Sequence, residues 1–391
     1  MFNILTYNNI SSAGLDRLPS ERYNVSADLA SPDAILLRSF KMHGLAIPES
    51  LKAVGRAGAG VNNIPVEEYT KRGIPVFNAP GANSNAVAEL VVAGMLLAAR
   101  HIPAALSFVS TLEGDEETIN TVVEKNKKDF AGFEIAGKTL GVLGLGAIGV
   151  KITNAAAALG LNIIGFDPFI SLASAWKLNS STIPATDIDD LVSHSDFITL
   201  HVPLNDKTKN LINKERIAKI KQGATLLNFS RAGVVDEAAV IEALNSGHLH
   251  AYVCDFPSPA LLKHPRAITL PHLGASTEEA EDNCAAMVAD QIREFLEQGI
   301  VRNAVNFPEV IVPLTDDEVR VVVANHNVPG VVGHVSSVFG DAGLNIIDLT
   351  NKSRGDYAYT VIDVNGDVPE QVLESLRAID GVLSVRLIKA S

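Results

Sequence analysis

The feature that most limits what this chain can fold into is Gly144-Leu145-Gly146-Ala147-Ile148-Gly149, a G-x-G-x-x-G run. Alone it is a weak signal, but its flanks make it specific. The β-rich apolar run Thr139–Leu143 precedes it and a helical stretch, Val150–Leu159, follows. That is the strand–turn–helix context in which such a turn cradles a pyrophosphate. Gly144 allows the tight turn, Gly146 the close approach of backbone to phosphate, and Gly149 the close packing of helix on strand. The helix N-terminus offers unpaired N–H groups and partial positive charge, with Ala147 and Ile148 in its first turn. The next strand, Asn162–Phe166, runs into Asp167, where an acid hydrogen-bonds an adenosine ribose. A carboxylate there repels a 2′-phosphate and no Arg follows at once, so NAD is expected over NADP.

The strands Phe197–Leu200, Thr225–Asn228, His250–Cys254 and Ala267–Leu270 complete a doubly wound parallel sheet around this turn. Before it, Asn3–Tyr7, Ala34–Leu37, Ala53–Arg56 and Pro75–Phe77 read as buried strands of an earlier α/β unit, with Glu113–Phe130 a charged loop and helix between. Glu278–Glu297 reads as a long helix ending near Gly299. Asn303–Glu318, with Pro308 and Pro313, reads as a linker. The tail then runs strand, helix, strand, strand, helix, strand from Val319 to Ile388, a ferredoxin-like βαββαβ module.

Composition narrows the function. The 391 residues allow two or three domains, and an apolar content of 47 % supports sizeable cores. A net charge of −13 argues against nucleic-acid binding, although a few local cations suffice for small anions. Cys254 and Cys284 form neither a metal-spaced cluster nor a disulfide framework, so no metal is expected. Met1–Tyr7 reads as a strand rather than a signal peptide. Ala86–Ala99, broken by Glu89 and Gly94, is too short to span a bilayer and reads as a buried helix. The expectation is a soluble cytoplasmic protein with no membrane partner.

Hydride transfer to a nicotinamide needs a group to take the hydroxyl proton and a cation to hold the carboxylate and polarise the carbonyl. Two residues at predicted strand ends fit. Arg231 follows the strand ending at Asn228, and His272 follows the strand ending at Leu270. Ligands of open α/β sheets bind at the carboxyl ends of strands. His suits proton transfer near neutrality and Arg a bidentate carboxylate grip. His43, His101, His194, His248, His250 and His264 read as structural or surface residues.

At this point the chain resembles the D-2-hydroxyacid dehydrogenases. Gly144–Gly149, His201-Val202-Pro203-Leu204, Asn228–Asp236, Pro271–Thr277 and Asn303–Pro308 carry the likeness in the family's order. The likeness is greatest to the branch that acts on 3-phospho-D-glycerate and carries a C-terminal ACT domain, through Arg38-Ser39, Arg56–Val61 and the βαββαβ tail. The resemblance implies a Rossmann-type NAD domain at 91–275 and a flavodoxin-like, discontinuous substrate domain at 1–90 and 276–308. A linker at 309–317 and an ACT domain at 318–391 would follow.

It also implies roles. His272 would exchange the proton and Arg231 hold the carboxylate and carbonyl. Arg38, Ser39, Lys41 and Arg56 would grip the phosphate, and the amides of Ala59 and Gly60 the carboxylate. Ala147, Ile148, Asp167, His201, Val202, Pro203, Thr208, Ser230, Asp255 and Gly274 would line the NAD site with the three glycines. Asn327 and Asn345 would bind serine as effector, and the chain would form a homo-oligomer.

The implied reaction is NAD-dependent oxidation of 3-phospho-D-glycerate to 3-phosphooxypyruvate, the first step of L-serine biosynthesis. The alternatives are a glyoxylate, hydroxypyruvate or other 2-keto acid reductase, and an NAD-sensing, non-catalytic binding protein. One departure bears on that choice. The family pairs its His with a Glu that a gap-free count places at Ala260, and no carboxylate lies between Asp255 and Glu278. A neighbouring carboxylate raises a histidine's pKa and fixes its tautomer. Its absence leaves three accounts: a plain His at work, another acid such as Glu278 or Glu279 or one from a partner subunit, or weakened catalysis. In addition, Phe40 replaces a second Arg, and Asn325 stands where the family's serine site often has His.

Overall fold

The computed structural model describes residues 1–315 and 318–389. Residues 316 and 317 of the stretch read as a linker, and 390 and 391 of the tail module, lie outside the described residues. The chain divides into two compact units, Met1–Asn83 with Thr277–Ser391, and Ser84–Ser276.

The first unit begins with β1 (Phe2–Tyr7), β2 (Tyr23–Ser26), β3 (Ala34–Leu37), β4 (Ala53–Arg56) and β5 (Val76–Phe77). They form one parallel sheet in the order β2-β1-β3-β4-β5. All four residues of β3 are buried, as expected for a parallel strand covered on both faces. The edge strand β2 is absent from the sequence reading: of Tyr-Asn-Val-Ser only Tyr23 is buried, so no apolar run marks it.

The second unit opens with α1 (Ser84–Ala99), α2 (Ile102–Val109) and α3 (Glu116–Asn126). Then come β6 (Thr139–Leu143), α4 (Ala147–Ala158), β7 (Asn162–Phe166), β8 (Ile183–Pro184), β9 (Phe197–Leu200), β10 (Ala224–Asn228), β11 (Leu249–Cys254) and β12 (Ala267–Thr269). The seven strands are all parallel, in the order β12-β11-β10-β9-β6-β7-β8. Strand order reverses at β6 and β9, so the crevice at their carboxyl ends is the place where such a sheet binds ligands. Helix α1 buries Val87, Val91 and Met95 in the core beneath this sheet. It comes so close at Gly94 that an added Cβ would lie 3.2 Å from Phe229 and Val253. Among the described residues no single helix is long and apolar enough to cross a membrane.

The chain returns to the first unit through α5 (Glu278–Gln298), capped by the Thr277 side chain at its start and by left-handed Gly299 at its end. Val288 and Ile292 of α5 lie over Gly55 of β4, where a Cβ would meet Val288 at 2.8 Å. The stretch read as a linker is partly core. Phe307 and Val310 are buried, and the Asn306 side chain accepts from Val76 N and donates to Thr70 Oγ1 and Ile74 O.

The tail comprises β13 (Val319–His326), α6 (Val331–Asp341), β14 (Ile346–Arg354), β15 (Tyr357–Val364), α7 (Glu370–Arg377) and β16 (Val382–Lys389). Its antiparallel sheet has the order β14-β15-β13-β16. Val321, Val323, Phe339 and Leu376 pack between sheet and helices. The other face contributes Val322, Tyr359, Val361 and Ile388 to the core that holds Phe295 of α5. Arg320, fully buried, pairs bidentately with Asp363 at 2.7 Å and donates to Gln298 O, Val312 O and Pro313 O. The tail is therefore fastened to the end of α5 rather than tethered loosely.

Candidate active site

In the second unit the glycine turn is shaped as its sequence requires. Gly144 sits at φ +95°, and a Cβ on it would lie 2.6 Å from His201 O. At Gly149 a Cβ would be 2.0 Å from Gly144 O, so only glycine lets α4 approach β6 this closely. Gly146 faces open space, with no atom within 4 Å of an added Cβ. It forms the N-cap of α4 without a side-chain cap, and both it and Ala147 are exposed. An exposed helix N-terminus above a glycine turn fits a dinucleotide pyrophosphate.

Asp167 ends β7. Its Oδ2 accepts from Leu145 N at 2.8 Å and its Oδ1 from Phe169 N at 2.9 Å, which holds the carboxylate beside the turn. His201 follows β9, with Nε2 2.7 Å from Thr199 Oγ1 and Nδ1 buried without a partner. Burial pushes its pKa down to about 3, so the ring is neutral. Thr208 Oγ1 donates to Pro203 O at 2.5 Å and accepts from Asn205 N at 2.8 Å, closing the loop after Val202.

Arg231, Asp255 and His272 sit just past the carboxyl ends of β10, β11 and β12. The Arg231 loop is held by Asn228, a fully buried residue at the end of β10. Its Oδ1 accepts from Ser230 N and Oγ at 3.2 and 2.9 Å, and its Nδ2 donates to Arg231 O at 3.0 Å. Arg231 also donates to Ser230 O at 2.6 Å.

Asp255 is buried. Its Oδ2 accepts from Gly274 N at 3.3 Å, its main-chain O from His272 N at 3.1 Å, and its Oδ1 has no partner. Desolvation raises its pKa, opposed by the His272 and Arg231 charges and the Gly274 amide. The exposed His272 ring meets Phe256 edge-on at 5.2 Å, and Ala260 lies at the surface. A proton acceptor, a cation and a buried carboxylate with one oxygen free can serve acid–base chemistry on a polar substrate beside a bound dinucleotide.

In the first unit, β3 and β4 deliver Arg38 and Arg56. Arg56 Nε donates to Arg38 O at 3.0 Å, and the Arg38 guanidinium pairs with Glu281 of α5 at 2.5 Å. Asn8 Oδ1 accepts from Ser39 N and Phe40 N, and Asn63 Nδ2 donates to Arg38 O and Phe40 O. Lys41 is exposed. The Ala59–Gly60 loop is pinned by Asn78, which donates to Ala59 O at 2.6 Å. In the tail, Asn327 and Asn345 are exposed, and Asn327 Nδ2 donates to Gly355 O at 3.0 Å.

Asn228, Phe256 and Glu281 escaped the sequence reading as site residues. A signal existed for Asn228, an amide closing the buried run Ala-Thr-Leu-Leu-Asn. None existed for Glu281, which lies 243 positions from Arg38 in sequence.

A family profile described as "D-isomer specific 2-hydroxyacid dehydrogenase, NAD binding domain" matches residues 92–274, and one described as "ACT domain" matches 319–381. A protein of Escherichia coli K12 named D-3-phosphoglycerate dehydrogenase is 35 % identical over 353 residues, covering 87 % of this chain and 82 % of that protein. This chain belongs to the D-isomer specific 2-hydroxyacid dehydrogenases. A Methanocaldococcus jannaschii protein of the same name is 43 % identical over 268 residues, 67 % of this chain and 49 % of that one. The chain thus spans about half the length of that archaeal relative, and less than two thirds of two other curated relatives. A solved NAD+-bound 3-phosphoglycerate dehydrogenase of Entamoeba histolytica is 26 % identical with a TM-score of 0.61, covering 78 % of this chain and 98 % of that one. The family's NAD-binding domain falls on the unit that carries the glycine turn, so NAD is the cofactor.

Proposed function

We propose that this protein oxidises 3-phospho-D-glycerate to 3-phosphooxypyruvate with NAD, the first step of L-serine formation. The observation that carries the reading is the placing of Arg231, the buried Asp255 carboxylate and His272 just past the carboxyl ends of the neighbouring strands β10, β11 and β12, with His272 N bonded to Asp255 O at 3.1 Å. Bound NAD would supply the hydride acceptor for substrate C2. His272 takes the C2 hydroxyl proton, and Arg231 holds the carboxylate and the developing carbonyl oxygen.

Gly144, Gly146, Ala147, Ile148 and Gly149 would hold the pyrophosphate, Asp167 the ribose, and Asp255 the nicotinamide amide. His201, Val202, Pro203, Thr208, Ser230 and Gly274 would line the rest of that site. In the first unit, Arg38, Ser39, Lys41 and Arg56 are assigned to the phosphate, and the amides of Ala59 and Gly60 to the carboxylate. Serine at Asn327 and Asn345 would regulate a homo-oligomer. Two free, buried cysteines suit a reducing, cytoplasmic setting.

The Arg38–Glu281 pair favours a second reading, reduction of an unphosphorylated 2-keto acid, because Glu281 already occupies the guanidinium. Arg38→Ala decides between them. If phosphate is bound there, KM for 3-phospho-D-glycerate rises at least about tenfold, or 1.4 kcal/mol, with kcat little changed, the mark of lost uniform binding. An unchanged KM would support the second reading.

A further inference from the structure

At the amino ends of β11 and β12, the opposite end of these strands from Asp255 and His272, lies a cavity of about 180 Å³. His101, His250 and Arg266 line it together with apolar residues, and no lining residue is acidic. A neighbouring hollow shares Arg266 and adds Lys263 and His264, again without Asp or Glu. On a chain of net charge −13 this runs against the composition.

The Arg266 guanidinium is also poorly compensated. Its side chain makes one long bond, to Leu249 O at 3.4 Å, and no ion pair among the described residues. The His101 and His250 rings meet edge-on at 5.3 Å, with Phe133 on His250 at the same distance. His101 sits at φ +51° as N-cap of α2 and supplies no side-chain cap, so the helix adds partial positive charge of its own. Burial, then the His101 and Arg266 charges, depress the His250 pKa, against a bond to Ala98 O that raises it.

We infer that this cavity is a second anion site, for a small phosphate-type oxyanion, distinct from the dinucleotide turn and from the substrate contacts proposed above. A dianion compensates the Arg266 guanidinium, and a guanidinium fork beside two imidazoles matches phosphate oxygens. The cavity is smaller than the 300–1,000 Å³ typical of sites for larger organic ligands, yet holds several water-sized groups.

The test is calorimetric titration of the full chain with inorganic phosphate at pH 6.5 and constant ionic strength, on an Arg38→Ala background that removes the proposed substrate-phosphate contact. Saturable binding is expected on that background, weakened at least about tenfold by adding Arg266→Ala or His101→Ala. Circular dichroism verifies folding, and His101→Ala decides if Arg266→Ala fails to fold. Absence of phosphate binding on the Arg38→Ala background, or undiminished binding in the folded double variants, overturns the proposal. Neither result depends on NADH formation, so the proposed reaction stands or falls separately.

Discussion

The glycine turn permits a paired experiment in which stability and cofactor affinity should separate. At Gly149 an added Cβ would lie 2.0 Å from Gly144 O, whereas real Cβ atoms essentially never approach closer than 3.0 Å. Helix α4 must therefore move by about 1 Å, and overpacking of this kind costs about 1–3 kcal/mol. Gly149→Ala should lose that much in urea denaturation and bind NAD poorly. At Gly146 the added methyl meets nothing within 4 Å, and φ is an ordinary −73°. The weaker N-cap is offset by a less flexible unfolded chain, so Gly146→Ala should stay within about 0.5 kcal/mol of the parent. Its methyl projects where the pyrophosphate would rest, and NAD affinity measured by calorimetry should fall at least about tenfold, or 1.4 kcal/mol. A Gly146→Ala protein that binds NAD within twofold of the parent would refute this placement of the dinucleotide.

Two further predictions concern buried charge. Asp363→Asn leaves Arg320 buried beside a neutral amide and should cost about 3–5 kcal/mol in urea denaturation, much of it recovered in an Arg320→Met, Asp363→Val double variant. Because the His201 pKa is held down to about 3, the unfolded chain binds this proton first as pH falls. The stability this imidazole adds is complete above about pH 6.5 and drains at no more than about 1.4 kcal/mol per unit below it. His201→Gln should therefore lose less stability than the parent between pH 7 and pH 5 in matched urea titrations.

Much of this was legible in sequence because parallel strands covered on both faces are short, continuous apolar runs. Ala34–Leu37, Thr139–Leu143, Asn162–Phe166 and Phe197–Leu200 end where the alternation with helices predicts. The glycine turn and the tail module were legible because their residue order carries backbone requirements. Polar or very short elements were not. The strands Tyr23–Ser26 and Ile183–Pro184 pair at or near a sheet edge and need no apolar signature. The prolines at 308 and 313 marked a linker, but Phe307 and Val310 between and before them are core, because the segment lies against the first sheet. Helix α4 begins at Ala147, three residues before the predicted start, because Gly146 itself serves as the N-cap. At the candidate site, residue types at strand ends were readable, whereas the groups that hold them were not. Glu281 reaches Arg38, and Phe256 reaches the His272 ring, only through tertiary contact.

The central claim is that His272 and its neighbours carry out acid–base chemistry on a 2-hydroxy acid without the glutamate expected at Ala260. The most direct measurement is NADH formation with 3-phospho-D-glycerate, and its oxidation with 3-phosphooxypyruvate, from pH 6 to 10, with His272→Ala run beside the parent. The account predicts turnover in both directions, reduced about 10²–10⁴-fold by His272→Ala while NAD affinity is retained. Tight NAD binding with no turnover of these or of unphosphorylated 2-keto acids would contradict it and leave a binding protein.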